Sequence, residues 1–130
     1  MPMSYVRHDD RHLVVVTIEG TFDPSEIVEV MRRLDEDDIW THGVLWDLRQ
    51  MSGQPTTDDL WFFSRAYVHA PERPQRARGP VAIVTADNDM YRTGCLYVAM
   101  SQPRLDADVF RDVDDARTWL DGRIAASSSV

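Results

Sequence analysis

Val44-Leu45-Trp46-Asp47-Leu48-Arg49 is the stretch from which the fold can be read. It is short, apolar, rich in β-forming side chains and entered through Gly43, as a central strand is. Downstream, Pro55-Thr56-Thr57-Asp58-Asp59 combines a cap with acids in a first turn, and predicts a helix running to about His69. Val81-Ala82-Ile83-Val84-Thr85, entered through Gly79-Pro80, is a second central strand, so the two strands and their helix form a βαβ unit. A third helix is expected over about Met90 to Met100, then a short strand at Val109-Phe110. Asp114 is expected to cap a last helix with Ala116, Trp119 and Leu120 on one face. Upstream, Asp23, Pro24 and Glu26 have the spacing of a cap, a first helical residue and a capping box. Ile27, Val30, Met31 and Leu34 follow at helical spacing, and the acidic run Asp35-Glu36-Asp37-Asp38 predicts an end near Leu34 or Asp35. Before it, Leu13 to Glu19 is nearly continuous in apolar character, the pattern of a strand covered on both faces, and Gly20 ends it. Tyr5 to His8 and the turn Asp9-Asp10-Arg11 complete an opening hairpin. The order is β β α β α β α β α, an α/β chain with a mixed sheet, about four helices and right-handed crossovers.

Composition agrees with one folded unit. The chain has 130 residues, 43% hydrophobic and 28% charged, within ordinary globular usage. Residues 1–124 are expected to form a single domain and 125–130, a small-residue run, a disordered tail. Cys95 is the sole cysteine, so neither an internal disulfide nor a multi-cysteine metal cage is available. A formal charge of −8 opposes nucleic-acid binding over most of the surface, although all fourteen basic residues are arginine. Apolar runs such as Leu13-Val14-Val15-Val16 are far too short to cross a bilayer, and the N-terminus lacks a signal pattern; the chain reads as cytoplasmic.

The element order, with Asp47-Leu48-Arg49, Thr57-Asp58-Asp59-Leu60, Arg78-Gly79-Pro80-Val81-Ala82-Ile83-Val84 and Val109-Phe110-Arg111-Asp112 followed by Ala116 and Trp119-Leu120, resembles the STAS-like superfamily. More narrowly it resembles the SpoIIAA-like (STAS/SEC14-type) branch, over about residues 5 to 122. The resemblance implies the fold of anti-anti-sigma factors, with binding of apolar ligands and association with membranes among the roles proposed for the branch. In phosphorylatable anti-anti-sigma factors the corresponding strand leads to a serine at the start of the next helix. Here Thr56 and Thr57 stand nearest, and the Asp-Ser-Ser-Gly-Leu pattern is absent. Either threonine at a helix start can carry a phosphate, and either can simply cap.

Two consecutive helices carry more apolar surface than one sheet can cover. Leu60, Phe63, Ala66, Tyr67 and Ala70 form one arc of the second helix, widened by Trp61 and Val68 to about 220° at helical pitch. The third helix leaves only a narrow polar strip around Arg92. Mutual packing, a ligand pocket, a homodimer or a partner surface would each absorb the excess. Trp61, Phe62, Tyr67, Tyr91 and Tyr97 are the aromatic residues singled out for a ligand, Phe62 because it falls among Asp58, Arg65 and His69 on the polar side. Arg73, Arg76 and Arg78 follow in a proline-rich loop, where they can meet phosphate or carboxylate head groups and bring an apolar opening to a membrane surface.

His8-Asp9-Asp10-Arg11-His12 has metal-ligand types in a turn that splays them apart, so no metal is assigned, and no cofactor. No G-x-S-x-G, P-loop, dinucleotide fingerprint or H-E-x-x-H occurs, and Cys95 is read as a small core residue. The expected function is therefore non-enzymatic binding of a small apolar or amphipathic, lipid-like ligand. The alternative is a protein-interaction regulator gated at the helix start after Asp47-Leu48-Arg49.

Overall fold

The computed structural model describes residues 3–39, 41–68, 79–102 and 104–128. Strands β1 (Met3–His8) and β2 (Leu13–Thr21) are joined by a single 3-10 turn, Asp9–Arg11, closed by His12 at φ 52°. There follow α1 (Pro24–Glu36), β3 (Gly43–Ser52), α2 (Thr57–Tyr67), β4 (Val81–Val84), α3 (Asn88–Ser101), β5 (Ala107–Phe110) and α4 (Val113–Ser128). The five strands form one sheet in the order β1-β2-β3-β4-β5, with β1 antiparallel and the rest parallel.

That order decides where the helices go. Parallel strands added always on the same side, each through a right-handed crossover, must carry every crossover helix on the same face. Accordingly α1 packs with Val14, Val16 and Ile18 of β2, Val44, Trp46 and Leu48 of β3, Val81 and Ile83 of β4, and Met90 of α3 in one large core. The alternate residues Leu13, Leu45, Ala82 and Val84 point the other way, where Ala116 and Leu120 of α4 form a smaller core. α4 lies over β3, β4 and β5. Among the described residues that face of β1 and β2 has no covering helix, so Val15 and Thr17 are only half-buried and Val6 is 45% exposed. The reading of β2 as covered on both faces thus holds at Leu13 and fails beyond it.

Several ends differ from the sequence reading, each for a local reason. α1 runs to Glu36 because Arg32 bonds both Glu29 and Glu36, relieving the acidic run. Its capping box does not form: the Asp23 carboxylate accepts from Ser25 N at 3.0 Å, and Glu26 is left with a buried, unpartnered Oε2. Asp112, not Asp114, begins α4, accepting from Asp114 N at 2.7 Å and Asp115 N at 3.3 Å. That helix continues to Ser128, over residues assigned from sequence to the tail. α2 ends at Tyr67 with Val68 as its cap, and His69 lies outside the described residues.

Candidate functional site

The large core has a hole in it. A cavity of about 70 Å³ lies between α1, α2, α3 and the sheet. Ile27 and Met31 come from α1, Leu60 and Phe63 from α2, and Met90, Thr93, Gly94 and Tyr97 from α3. Trp46, Leu48, Met51, Val81 and Ile83 form the sheet side, and Phe22, Pro55 and Leu105 the loops. None of these sixteen residues is charged. The polar atoms they bring are the Thr93 hydroxyl, the Tyr97 phenol and the Trp46 indole N–H.

The space arises from how α3 and α2 are seated. Gly94 lets α3 press on β5, where a Cβ would stand 3.1 Å from Val109 Cγ2. α2 in turn has α3, rather than a strand, as its nearest backbone neighbour, and Ser64 Oγ donates to the Met100 carbonyl at 3.3 Å. Drawn toward α3, α2 spans the gap above β3 and β4 without filling it.

Among the described residues, the space is most open at one end. The half-buried lining residues Phe22, Ile27, Met51, Pro55 and Thr93 all sit at the carboxyl edge of the parallel strands, and only Tyr97, also half-buried, lies deeper along α3. At the opposite edge Val81 and Leu105 are 2% and 1% exposed and close the floor. Gly53, at φ 77°, turns the chain from β3 toward α2, and Gln54 on that turn accepts a hydrogen bond from the Thr93 hydroxyl, tying the loop to α3 beside the mouth.

No family model matches the chain, and no curated protein does. Among solved structures it is similar to an anti-sigma factor antagonist from Mycobacterium paratuberculosis, at 16% identity and a TM-score of 0.59, covering 91% of this chain and 92% of that one. An uncharacterised protein of the DUF3478 family from Shewanella loihica PV-4, described as having a SpoIIAA-like fold, is similar at 14% identity and a TM-score of 0.59, covering 91% of each chain. The chain has a SpoIIAA-like fold.

Within that SpoIIAA-like fold, the aromatic residues singled out from sequence separate. Tyr97 lines the cavity. Tyr67 and Tyr91 are half-buried against the same core, Tyr91 beneath the Arg111 guanidinium at 4.4 Å. Trp61 and Phe62 point away from the cavity, 51% and 44% exposed, with Phe62 against Phe63 and Tyr67 at 5.8 and 6.2 Å between ring centroids. Trp61 belongs to the apolar arc by angle, but α2 is rolled toward α3 and leaves it outside. Arg73, Arg76 and Arg78 lie outside the described residues. Cys95 is exposed rather than a core residue, beside Leu96 at 45% exposure.

Thr56 and Asp59 form a full capping box at the start of α2: Asp59 N donates to Thr56 Oγ1 at 3.1 Å, and Thr56 N to Asp59 Oδ2 at 2.9 Å. The hydroxyl of Thr56 is thus engaged in the cap, while Thr57 is exposed beside Asp58. Two carboxylates already occupy the first turn that a phosphate would enter, so added negative charge there meets repulsion.

The charged pair on β3 faces α4 instead of the cavity. Arg49 donates to Asp47 at 2.9 and 2.8 Å, and this hydrogen bonding holds the Asp47 carboxyl below the usual carboxylate range. At the other end of the sheet, the Asp9 of the sequence cluster is held by Arg7 and lies 3.3 Å from His42 Nε2, with His12 edge-on to His42. The lining residues the sequence reading missed include Phe22 and Pro55, which come from loops and carry no periodicity, and Met51, at the end of β3 beyond the apolar run. Gly94, a glycine inside a predicted helix, was the signal available for close approach of α3 to the sheet.

Proposed function

We propose that this chain is a binding module that takes a small apolar or amphipathic ligand in the cavity beneath α2. The observation that carries the reading is the cavity itself: among the described residues its lining is uncharged, closed by Val81 and Leu105 at one edge of the sheet and open at the carboxyl edge of the strands, where α/β sheets commonly hold ligands. Its lining supplies neither a nucleophile–base pair nor a carboxylate, so its chemistry is retention rather than turnover. At about 70 Å³ it suits one short alkyl chain better than a ring system with polar substituents.

The test is native mass spectrometry of the full chain with 1-octanol, beside a Met51→Trp variant that narrows the mouth at a half-buried position. Wild type should retain one equivalent, and the variant should lose it while melting at the same temperature. Absence of binding to wild type, or equal binding to both, would sink the reading.

A second reading, regulation through a partner protein, is favoured by the exposed Trp61 and Phe62 on α2 and Leu96 on α3, and by the likeness of fold to an anti-sigma factor antagonist. It predicts that Trp61→Ala weakens a protein contact without changing octanol retention.

A further inference from the structure

The wall of the cavity holds a hydrogen-bond donor that nothing among the described residues takes up. Of the polar side chains on the lining, Thr93 has its hydroxyl committed to Gln54 Oε1 and, at 3.0 Å, to the carbonyl of Asp89. Tyr97 has a partner as well. Trp46 differs: it is 6% exposed, and no acceptor among the described residues receives its indole N–H. It stands in the middle of β3, level with Ile83 of β4, with Leu48 on the side of the mouth and Val81 nearer the floor. Glu26 Oε2 and Thr85 Oγ1 also lack partners, but both are sealed in packed surroundings off the lining, whereas the Trp46 side chain borders open space. A donor left bare in an apolar wall forfeits the hydrogen bond it makes in water, and the occupant of the cavity decides whether that loss is recovered.

Resting on the cavity reading, we infer that the ligand bears an uncharged oxygen acceptor, that of a ketone, ester or alcohol, which receives the Trp46 indole N–H while the alkyl part lies against Met31, Leu60 and Met90. An indole N–H donates and never accepts, so the complementary group has to be an acceptor. The lining holds no cation to neutralise a carboxylate or phosphate, and carrying such a charge past Leu48 into apolar surroundings costs far more than one hydrogen bond returns. An ammonium brings further donors to a place where a donor already stands. An alkane fits the space and leaves the N–H bare. Trp46 is therefore the specificity residue of the cavity, separating ligands of equal length by a single oxygen.

The experiment titrates the isotope-labelled full chain at neutral pH with 2-hexanone and with n-hexane, reading both affinity and the indole N–H resonance of Trp46 by NMR. The ketone should move the indole proton downfield as it gains an acceptor, and the alkane should leave it near its free position. Trp46→Phe keeps an aromatic wall and removes the N–H, so it should lower the ratio of ketone to alkane affinity about tenfold, the worth of one buried hydrogen bond. Taking the ratio largely cancels the extra room left by the smaller ring. Should Trp46→Phe fail to fold, the resonance in the wild-type chain decides alone. Binding of both probes with an unmoved indole proton, or with an affinity ratio indifferent to Trp46→Phe, overturns the inference and spares the cavity. Failure of both probes to bind overturns both readings.

Discussion

Replacing Gly94 by alanine sets two effects of known sign against each other. A glycine inside a helix is worse than alanine by about 0.5–1 kcal/mol, so the substitution would stabilise α3 in isolation. The new methyl, however, would stand 3.1 Å from Val109 Cγ2 and 3.3 Å from Cγ1, and Val109 is 5% exposed on β5 with nowhere to yield. Overpacking of this kind costs about 1–3 kcal/mol, so Gly94→Ala should lose about 1 kcal/mol net. Val109→Ala alone removes both of those methyl groups from the core and should cost about 2 kcal/mol. In the double variant the clash is gone and the added methyl occupies part of the vacated space, so the loss should be about 1 kcal/mol instead of the additive ~3 kcal/mol. Urea unfolding of the four proteins measures this, since at ~2 kcal/mol per molar urea the two outcomes differ by about 1 M in midpoint. Additivity within about 0.5 kcal/mol would show that α3 is not pinned on Val109, and the account of how the cavity opens would fall with it.

Four further outcomes follow from the same structure. Thr56→Ala, which orphans the Asp59 N–H, should cost about 1 kcal/mol in thermal or urea melts while Thr56→Ser stays near wild type; equal melts would deny the capping role. Gly79→Ala should cost about 3 kcal/mol or more by calorimetry, because its Cβ would fall on the carbonyl oxygens of Thr41 and His42, which are backbone and cannot turn aside. Tyr5 is held up at about 12, by burial first and then by Asp37, so it adds stability below pH 10.0 that is lost as pH rises toward 12; ultraviolet titration should show a late tyrosine that Tyr5→Phe removes. Asp47, lowered by its bonds to Arg49, adds stability present above its ordinary 3.8 and lost as the solution is acidified further. Asp47→Asn should flatten that acid limb by about 0.5–1 kcal/mol, the pair being partly exposed to solvent.

The legible parts of this chain were those written in short-range pattern. The run through Trp46 marked a central strand because alternation and β-branching act over a few residues. Asp23-Pro24 and the Thr56 to Asp59 box marked two helix starts because a cap is a local hydrogen bond. The same locality explains the misses. Glu26 has the spacing of a capping box, yet Asp23 satisfied itself on Ser25, a competition that spacing does not rank. Trp61 lies in the apolar arc, but an arc gives only angles about an axis; which angle meets the sheet depends on how α2 is rolled against α3.

Sequence by itself determined the element order, and with the handedness of crossovers that order was nearly enough to place α1, α2 and α3 on one face of the sheet. It also determined the excess of apolar surface on two helices. Only the tertiary structure decided where the excess went: Tyr97 to a cavity wall, Trp61 and Phe62 to the surface, and Phe22 and Pro55 from two loops, with Met51 from the end of β3, to one mouth. A cavity is a failure of packing among residues far apart in the chain, and its size depends on ångström-scale seating such as that of Gly94 on Val109. Residue spacing along one strand or one helix carries no trace of such distances.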